Sequence, residues 1–121
     1  MNIVIVGTGY VGLVTGVGFA EQGHTVSFID LDSSKVEKLK NKQLPFFEPD
    51  LETYFSKKEN FNRMSFHSSY NSLNWDESEI VFICVQTPNN IETNSVDTKF
   101  LESAISEISK LNNKEIVITV K

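Results

Sequence analysis

The sequence predicts an α/β fold, in which helices cover both faces of a doubly wound and mostly parallel β-sheet. Short runs of apolar, β-branched residues alternate along the chain with segments of helical periodicity. Two of these runs, 3–6 and 80–83, are apolar at every position. Such runs are typical of strands that are buried on both faces of a parallel sheet.

The predicted elements follow this alternation from the first residues to the last. Strands are expected at 2–6, 25–30, 79–85 and 115–120, with a weaker strand at 63–67. Helices are expected at about 10–22, 33–41, 50–58 and 98–111. A long polar loop is expected from Gln86 to Val96, at the carboxyl end of a central strand, where open α/β sheets bind ligands.

Local signals mark the ends of the predicted helices. Gly23 suits the left-handed position that ends the first helix, and Asp32 and Asp97 suit the N-caps of the second and the last. Gly16 and Gly18 lower the helix propensity of the first helix, so close packing on the sheet is expected at both. The last helix should cover the sheet with one apolar face, formed by Phe100, Leu101, Ala104, Ile105, Ile108 and Leu111.

A glycine-rich turn joins the first strand to the first helix. Gly7 permits a tight turn, Gly9 leaves room for a pyrophosphate, and Gly12 allows the helix to pack closely on the strand. Asp30 closes the second strand eighteen residues after Gly12. This combination is typical of a Rossmann-type dinucleotide-binding domain, in which the N–H groups at the start of the helix hold the phosphates.

The acidic residue indicates which dinucleotide is bound. A carboxylate at Asp30 accepts hydrogen bonds from the ribose hydroxyls, whereas it repels the 2′-phosphate of NADP. The sequence therefore favours NAD over NADP. Asp32 is a weaker candidate for the ribose role, because it is also the expected helix cap.

Composition and charge limit the possible partners. The chain of 121 residues is one domain in length, and its net charge of −5 argues against nucleic acid or an anionic membrane as a partner. It contains no apolar run long enough to span a membrane and begins directly with the first strand, so a cytoplasmic protein is expected. The single cysteine, Cys84, excludes an intrachain disulfide and a multi-cysteine metal site, and its apolar neighbours indicate a buried structural thiol.

Four segments occur together in an order and spacing that resemble the UDP-glucose/GDP-mannose 6-dehydrogenase family. They are Gly-Thr-Gly-Tyr-Val-Gly-Leu-Val at 7–14, Asp-Leu-Asp-Ser-Ser-Lys-Val at 30–36, Leu-Pro-Phe-Phe-Glu-Pro at 44–49 and Phe-Ile-Cys-Val-Gln-Thr-Pro at 82–88. The resemblance covers the chain from Asn2 to Lys121. It implies an NAD-dependent, four-electron oxidation that converts the C6 alcohol of a nucleotide sugar, such as UDP-glucose, into a carboxylate.

The resemblance also implies roles for individual residues. Gly9, Tyr10 and Val11 would contact the pyrophosphate through their backbone, while Asp30 and Lys35 would contact the adenosine ribose. For Lys35, an ordinary solvated helix lysine is the alternative.

Thr87 and Pro88 match a pair that lies beside the ribose and nicotinamide in the family. This chain departs from the family pattern at Gln86 and in the loop that follows, so the conformation of that loop is less well defined by the resemblance.

The resemblance further implies a C-terminally truncated cofactor domain, with residues 1–121 forming part of it. The substrate domain and the domain with the catalytic cysteine would then be absent, so no catalytic residue is assigned here, and a homo-oligomer is possible. Two other interpretations remain open at this point. One is a stand-alone module that senses NAD or another adenine nucleotide, and the other is an NAD-dependent dehydrogenase of the 3-hydroxyacid type.

Overall fold

The computed structural model describes residues 1–112 and 114–121. The strands are β1 (Asn2–Val6), β2 (Thr25–Ile29), β3 (Met64–His67), β4 (Ile80–Ile83), β5 (Asn89–Asn90), β6 (Ser95–Val96) and β7 (Val117–Val120). The helices are α1 (Tyr10–Glu21), α2 (Ser33–Lys40), α3 (Pro49–Phe55), α4 (Lys58–Asn62) and α5 (Lys99–Leu111). Two short 3-10 turns, Tyr70–Ser72 and Trp75–Glu77, connect β3 to β4. All five predicted strands are present, including the weaker one at 63–67.

The main sheet has five parallel strands in the order β3-β2-β1-β4-β7. The chain builds one half of the sheet outward from β1 to β3 and then crosses to the other side of β1 to form β4. Strand order therefore reverses between β1 and β4, where Val6 pairs with Ile83. In open α/β sheets, ligands bind at this reversal, outside the carboxyl ends of the strands.

Helices cover the two faces of the sheet, which confirms the predicted fold class. On one face, side chains of α1, α2 and α3 bury Phe28 of β2 and its neighbours, and Phe61 of α4 packs against this cluster. On the other face, α5 and the two 3-10 turns bury Val4, Val81 and Ile83. The sheet is thus the centre of a layered core, and its strand ends remain available for a site.

The close packing predicted for the two helical glycines is present at only one of them. A Cβ atom built on Gly16 would stand 2.3 Å from the Phe28 ring, so α1 lies against the sheet there. The prediction is wrong for Gly18, where a built Cβ meets nothing within 4 Å. Gly18 lies instead on a surface groove between α1 and α3.

The predicted helix at 50–58 is wrong only in its last three residues, because α3 ends at Phe55, the helix is interrupted at Ser56 and Lys57, and α4 begins at Lys58. The Asn60 side chain explains the break. Its amide donates to the Tyr54 carbonyl of α3 at 2.9 Å and also to the Glu21 carboxylate. Asn60 is buried, so these bonds fix the corner between the two helices.

The C-terminal part of the chain also departs from the prediction in detail. The polar loop expected at 86–96 contains a small antiparallel hairpin of β5 and β6. The N-cap of α5 is Thr98 rather than Asp97, although the Asp97 carboxylate accepts a hydrogen bond from the Lys99 amide at 2.9 Å. The apolar face of α5 is narrower than predicted, because Ala104 and Ile108 are buried while Phe100 and Ile105 are exposed.

Candidate dinucleotide-binding site

The glycine-rich turn after β1 is packed so tightly that two of its positions require glycine. Gly7 has a φ of 99°, and a Cβ atom there would lie 2.6 Å from the Cys84 carbonyl oxygen. A Cβ atom on Gly12 would lie 1.9 Å from the Gly7 carbonyl oxygen. The same Cβ atom would lie 3.3 Å from Cγ2 of Ile5 in β1, so Gly12 permits the close approach of the helix to both the turn and the strand.

Gly9 differs from these two glycines, because a Cβ atom built on it would meet nothing within 4 Å. It occupies the N-cap position of α1, and no side chain caps the first turn of this helix. The first N–H groups of a helix lack intrahelical acceptors and carry the positive end of its dipole. The turn thus offers both the space and the donors that a pyrophosphate needs.

Asp30 follows β2 and is held by donors from two directions. Its Oδ2 atom accepts hydrogen bonds from the Thr8 amide at 3.0 Å and the Thr8 hydroxyl at 2.6 Å. Its Oδ1 atom accepts one from the Asp32 amide at 2.9 Å. The carboxylate lies partly buried beside the glycine-rich turn.

The structure separates the roles of the two neighbouring aspartates. The Asp32 carboxylate accepts hydrogen bonds from the Ser34 and Lys35 amides at 3.0 and 3.3 Å, so it caps α2 as predicted. The Ser34 hydroxyl also donates to it and, more than any other contact, lowers the pKa of Asp32. Of the two aspartates, Asp30 is the one that lines the cleft.

A cleft of about 300 Å³ opens at the point where strand order reverses. Of the predicted site residues, Gly7, Gly9, Asp30 and Lys35 line it. The rest of the lining comes from the glycine-rich turn, the ends of the strands and the residues that follow them, the first 3-10 turn and the beginning of α5. These residues are Val6, Thr8, Ile29, Leu31, Tyr70, Cys84, Val85, Gln86, Phe100 and Ser103. The site therefore lies where the fold class predicts a ligand.

Tyr10, Val11 and Gly12 stand outside the lining of this cleft. The Tyr10 side chain is exposed and packs against Phe46, with their ring centroids 5.6 Å apart, and Val11 is also exposed. The contacts expected of Tyr10 and Val11 come from backbone N–H groups at the start of α1. The positions of their side chains therefore do not bear on that role, which stays a prediction.

Thr87 and Pro88 are exposed and do not line the cleft, which is bounded on this side by Val85 and Gln86. The Pro88 carbonyl accepts a hydrogen bond from the Asp97 amide at 2.7 Å, so the segment closes the base of the β5–β6 hairpin. Their expected contact with a cofactor stays a prediction.

The sequence did not predict several of the residues that line the cleft. Thr8 lies inside the glycine motif at a position where the motif specifies no residue type, so the sequence did not predict its hydrogen bonds to Asp30. Tyr70 comes from a 3-10 turn that the sequence did not indicate, and burial raises the pKa of its hydroxyl. Phe100 and Ser103 come from the part of α5 that was expected to cover the sheet.

Cys84 is half-buried and lines the cleft, which differs from the fully buried thiol that was expected. Burial raises the pKa of this thiol and so favours its protonated, weakly nucleophilic form. Among residues 1–112 and 114–121, no three His, Cys, Asp or Glu side chains gather into a possible metal site. No helix in the same ranges is long and apolar enough to cross a membrane.

The fold and this cleft define a Rossmann-type dinucleotide-binding domain. Residues 1–121 match the model of the UDP-glucose/GDP-mannose dehydrogenase family, NAD binding domain, and the chain belongs to this family. Its cofactor is NAD. This dinucleotide fits three features of the cleft: the open space at Gly9, the first turn of α1, and Asp30 after β2.

Curated relatives support the same assignment. The chain is 37% identical over 121 residues to the UDP-glucose 6-dehydrogenase of Rickettsia felis. It is 36% identical over the same length to UDP-glucose 6-dehydrogenase YwqF of Bacillus subtilis. In both comparisons the alignment covers 100% of this chain and 27% of the relative. The chain thus spans about a quarter of the length of these proteins.

Solved structures of the family have the same fold. The UDP-glucose dehydrogenase of Pyrobaculum islandicum superposes with a TM-score of 0.88 at 30% identity. The GDP-mannose dehydrogenase of Pseudomonas aeruginosa, solved as a ternary complex, gives a TM-score of 0.87 at 28% identity. Each match covers 99% of this chain and 28% of the other. A 3-hydroxyacyl-CoA dehydrogenase of Archaeoglobus fulgidus, at 16% identity and a TM-score of 0.59, shares the fold alone.

Proposed function

We propose that this chain is the NAD-binding part of a nucleotide-sugar 6-dehydrogenase that oxidises UDP-glucose to UDP-glucuronate. The observation that carries the proposal is the placement of Asp30 beside the glycine-rich turn, in a cleft at the reversal of strand order. The choice of sugar is supported by the Rickettsia felis and Bacillus subtilis relatives, which are both named UDP-glucose 6-dehydrogenase.

NAD would lie across the carboxyl ends of β1, β2 and β4. The backbone of Gly9, Tyr10 and Val11 would donate to the pyrophosphate, because the first turn of α1 has unpaired N–H groups and the space at Gly9 is open. The Asp30 carboxylate would accept a hydrogen bond from the adenosine ribose. Lys35 lines the same end of the cleft, where its cation would approach the adenosine side.

The nicotinamide half would extend toward the segment that follows β4. Thr87 and Pro88 follow this segment and would lie beside the nicotinamide half. Bound NAD supplies a hydride acceptor, and the family resemblance implies that the sugar C6 and a second-step thiol are presented by parts outside residues 1–121. We therefore assign no catalytic residue to this chain, and infer that the 121 residues alone do not oxidise UDP-glucose.

A chimera tests whether residues 1–121 work as the NAD-binding part of a UDP-glucose dehydrogenase, with the sugar bound by the segments of the relative. In it, residues 1–121 replace the matching segment of the Bacillus subtilis relative, to which they align over their whole length. The isolated chain and the chimera are each mixed with NAD and, in turn, UDP-glucose, GDP-mannose and a 3-hydroxyacid. Formation of NADH is followed by absorbance.

We expect the chimera to form NADH with UDP-glucose, at two NADH for each sugar, and the isolated chain to form none. NADH production by the isolated chain would overturn its inferred inactivity. A chimera that binds NAD but reduces it only with the 3-hydroxyacid would overturn the proposed reaction. An Asp30→Ala chimera is the control for use of this cleft, because it should lose most of the activity at low NAD concentration.

A further inference from the structure

We propose that Thr8 is a positioning residue, which fixes the Asp30 carboxylate so that Oδ1 receives the cofactor ribose and thereby sets the preference for NAD over NADP. The inference rests on the proposed binding of NAD in the cleft. It assigns a function to a side chain that the glycine motif leaves undefined.

Thr8 is unusual for a polar residue beside an open cleft, because only 1% of its surface is exposed. Both of its donors point to the same atom. The hydroxyl lies 2.6 Å and the amide 3.0 Å from Asp30 Oδ2. A short hydrogen bond from a buried hydroxyl to a carboxylate is among the stronger ones in proteins, so the Thr8 side chain restrains the rotation of Asp30.

The donors around Asp30 are distributed unequally. A carboxylate has about four acceptor positions, two on each oxygen. Among the residues that the structure describes, Oδ2 receives both Thr8 donors, whereas Oδ1 receives only the Asp32 amide at 2.9 Å. Oδ1 is therefore the oxygen with a free acceptor position, and a ribose hydroxyl in the cleft would bind there.

This arrangement bears on cofactor choice because the position of the negative charge is fixed before the ligand arrives. A restrained carboxylate loses little freedom when it accepts the ribose hydroxyl, and it cannot turn away from a 2′-phosphate. Loss of the Thr8 hydroxyl leaves the amide as the sole Thr8 donor. Asp30 then rotates more freely, which weakens the bond to NAD and relieves the repulsion of NADP.

If Thr8 served only to pack the core, a different result would be expected from its substitution. Valine has nearly the shape of threonine, so Thr8→Val keeps the packing and removes the hydroxyl. A packing role would leave binding unchanged in this variant, and general damage to the turn would weaken NAD and NADP by the same factor. The positioning role changes their ratio.

The test is calorimetric titration of the full 121-residue chain with NAD and with NADP, in wild type, Thr8→Val and Thr8→Ser. Thr53→Val is the matched control, because Thr53 is exposed on α3 and its hydroxyl donates to the Pro49 carbonyl of its own helix. Circular dichroism and thermal unfolding establish that each variant is folded.

We expect Thr8→Val to weaken NAD binding about fivefold to twentyfold, which is at or below the low end of the roughly tenfold to 150-fold range for one hydrogen bond to a charged group, because the hydroxyl acts on the cofactor through Asp30. NADP binding should stay within about twofold or improve, so the NAD-to-NADP ratio falls. Thr8→Ser, which keeps the hydroxyl, and Thr53→Val should each stay within about twofold of wild type.

Three results would overturn the inference: NAD affinity unchanged in Thr8→Val, equal loss of NAD and NADP, or no recovery in Thr8→Ser. In each case wild-type binding of NAD leaves the proposed function standing. Failure of the wild-type chain to bind NAD would instead overturn the proposed function, and the proposed role of Thr8 would be overturned with it.

Discussion

Gly16 of α1 lies directly against the ring of Phe28 in β2. A Cβ atom at position 16 would stand 2.3 Å from Cζ of that ring and 3.1 Å from Cγ1 of Ile5. The Phe28 ring is fully buried and stacks on Phe66, with ring centroids 5.3 Å apart, so it has little room to move. The distance between α1 and the sheet, and hence the position of the glycine-rich turn, depends on the absence of a side chain at Gly16.

Replacement of the two glycines within α1 should therefore have opposite effects on stability. Gly16→Ala should lower the free energy of unfolding by about 1–3 kcal/mol, because the added methyl group overpacks the core against Phe28. Gly18→Ala is the matched control and should raise it by up to about 1 kcal/mol, because its site is open and alanine has the higher helix propensity. Urea unfolding of the two variants measures both effects, and stabilisation by Gly16→Ala would contradict the packing described here.

Substitutions at Gly9 and Gly12 of the turn should affect different properties, NAD binding in the first case and stability in the second. Gly9→Ala should keep the stability of the wild type, because its new methyl group meets no protein atom, yet lose NAD affinity by at least about tenfold through the collision with the pyrophosphate. Gly12→Ala should lower stability, since its Cβ would overlap the Gly7 carbonyl oxygen. Thermal unfolding and NAD titration of each variant provide the comparison. Wild-type NAD affinity in Gly9→Ala would place the pyrophosphate elsewhere.

His67 at the end of β3 should make stability depend on pH. Burial, and to a smaller extent the charge of Lys40, lowers the pKa of its imidazole below the value of about 6.5 expected in the unfolded chain. The unfolded state therefore binds more protons, and stability is complete above the unfolded pKa and decreases as the pH falls through it.

The decrease should appear between about pH 7 and pH 5, above the range in which the carboxylates titrate. His67→Gln should remove this part of the decrease, as measured by urea unfolding at several pH values. Asp32 and Glu21, whose pKa values are lowered by hydrogen bonds, contribute only at lower pH. An unchanged pH profile in His67→Gln would contradict the assignment to this residue.

The glycine turn and the position of the Asp30 carboxylate beside it were predictable from the sequence, because each is specified by a short local pattern. Gly12 and Asp30 make their contacts within one β-α-β unit, and Gly7 is required by its positive φ in the turn. Asp32 caps the helix that begins next to it. The contacts that were missed join distant parts of the chain. The corner between α3 and α4 depends on Asn60 reaching Glu21, which is 39 residues away, and the orientation of Asp30 depends on Thr8, which is 22 residues away.

The partial burial of α5 has a similar cause. Its periodicity defines an apolar face, but not how much of that face meets the sheet. Ala104 and Ile108 do so, whereas Phe100 lines the cleft instead. None of the segments that resemble the family is expected to contact the sugar, so the proposal of UDP-glucose rests on the named relatives.

Strand β7 should cause association at high concentration. In the described sheet it pairs only with β4, and its Val117 and Val120 side chains are 59% and 56% exposed. An apolar edge strand of this kind favours pairing with another chain. Val117→Lys should reduce self-association, as measured by sedimentation, whereas Val96→Lys, on the exposed hairpin, should not. A wild-type chain that stays monomeric at all concentrations would contradict this expectation.

The most direct test of the cofactor site is calorimetric titration of the chain with NAD, NADP and ADP-ribose, repeated with Asp30→Ala. NAD and ADP-ribose should bind saturably and NADP much more weakly, because in the proposed site Asp30 would accept a hydrogen bond from the ribose and would repel a 2′-phosphate. Asp30→Ala should weaken NAD and ADP-ribose by about tenfold or more and reduce the discrimination against NADP. Equal binding of NAD and NADP, with no effect of Asp30→Ala, would contradict the assignment of this cleft as the cofactor site.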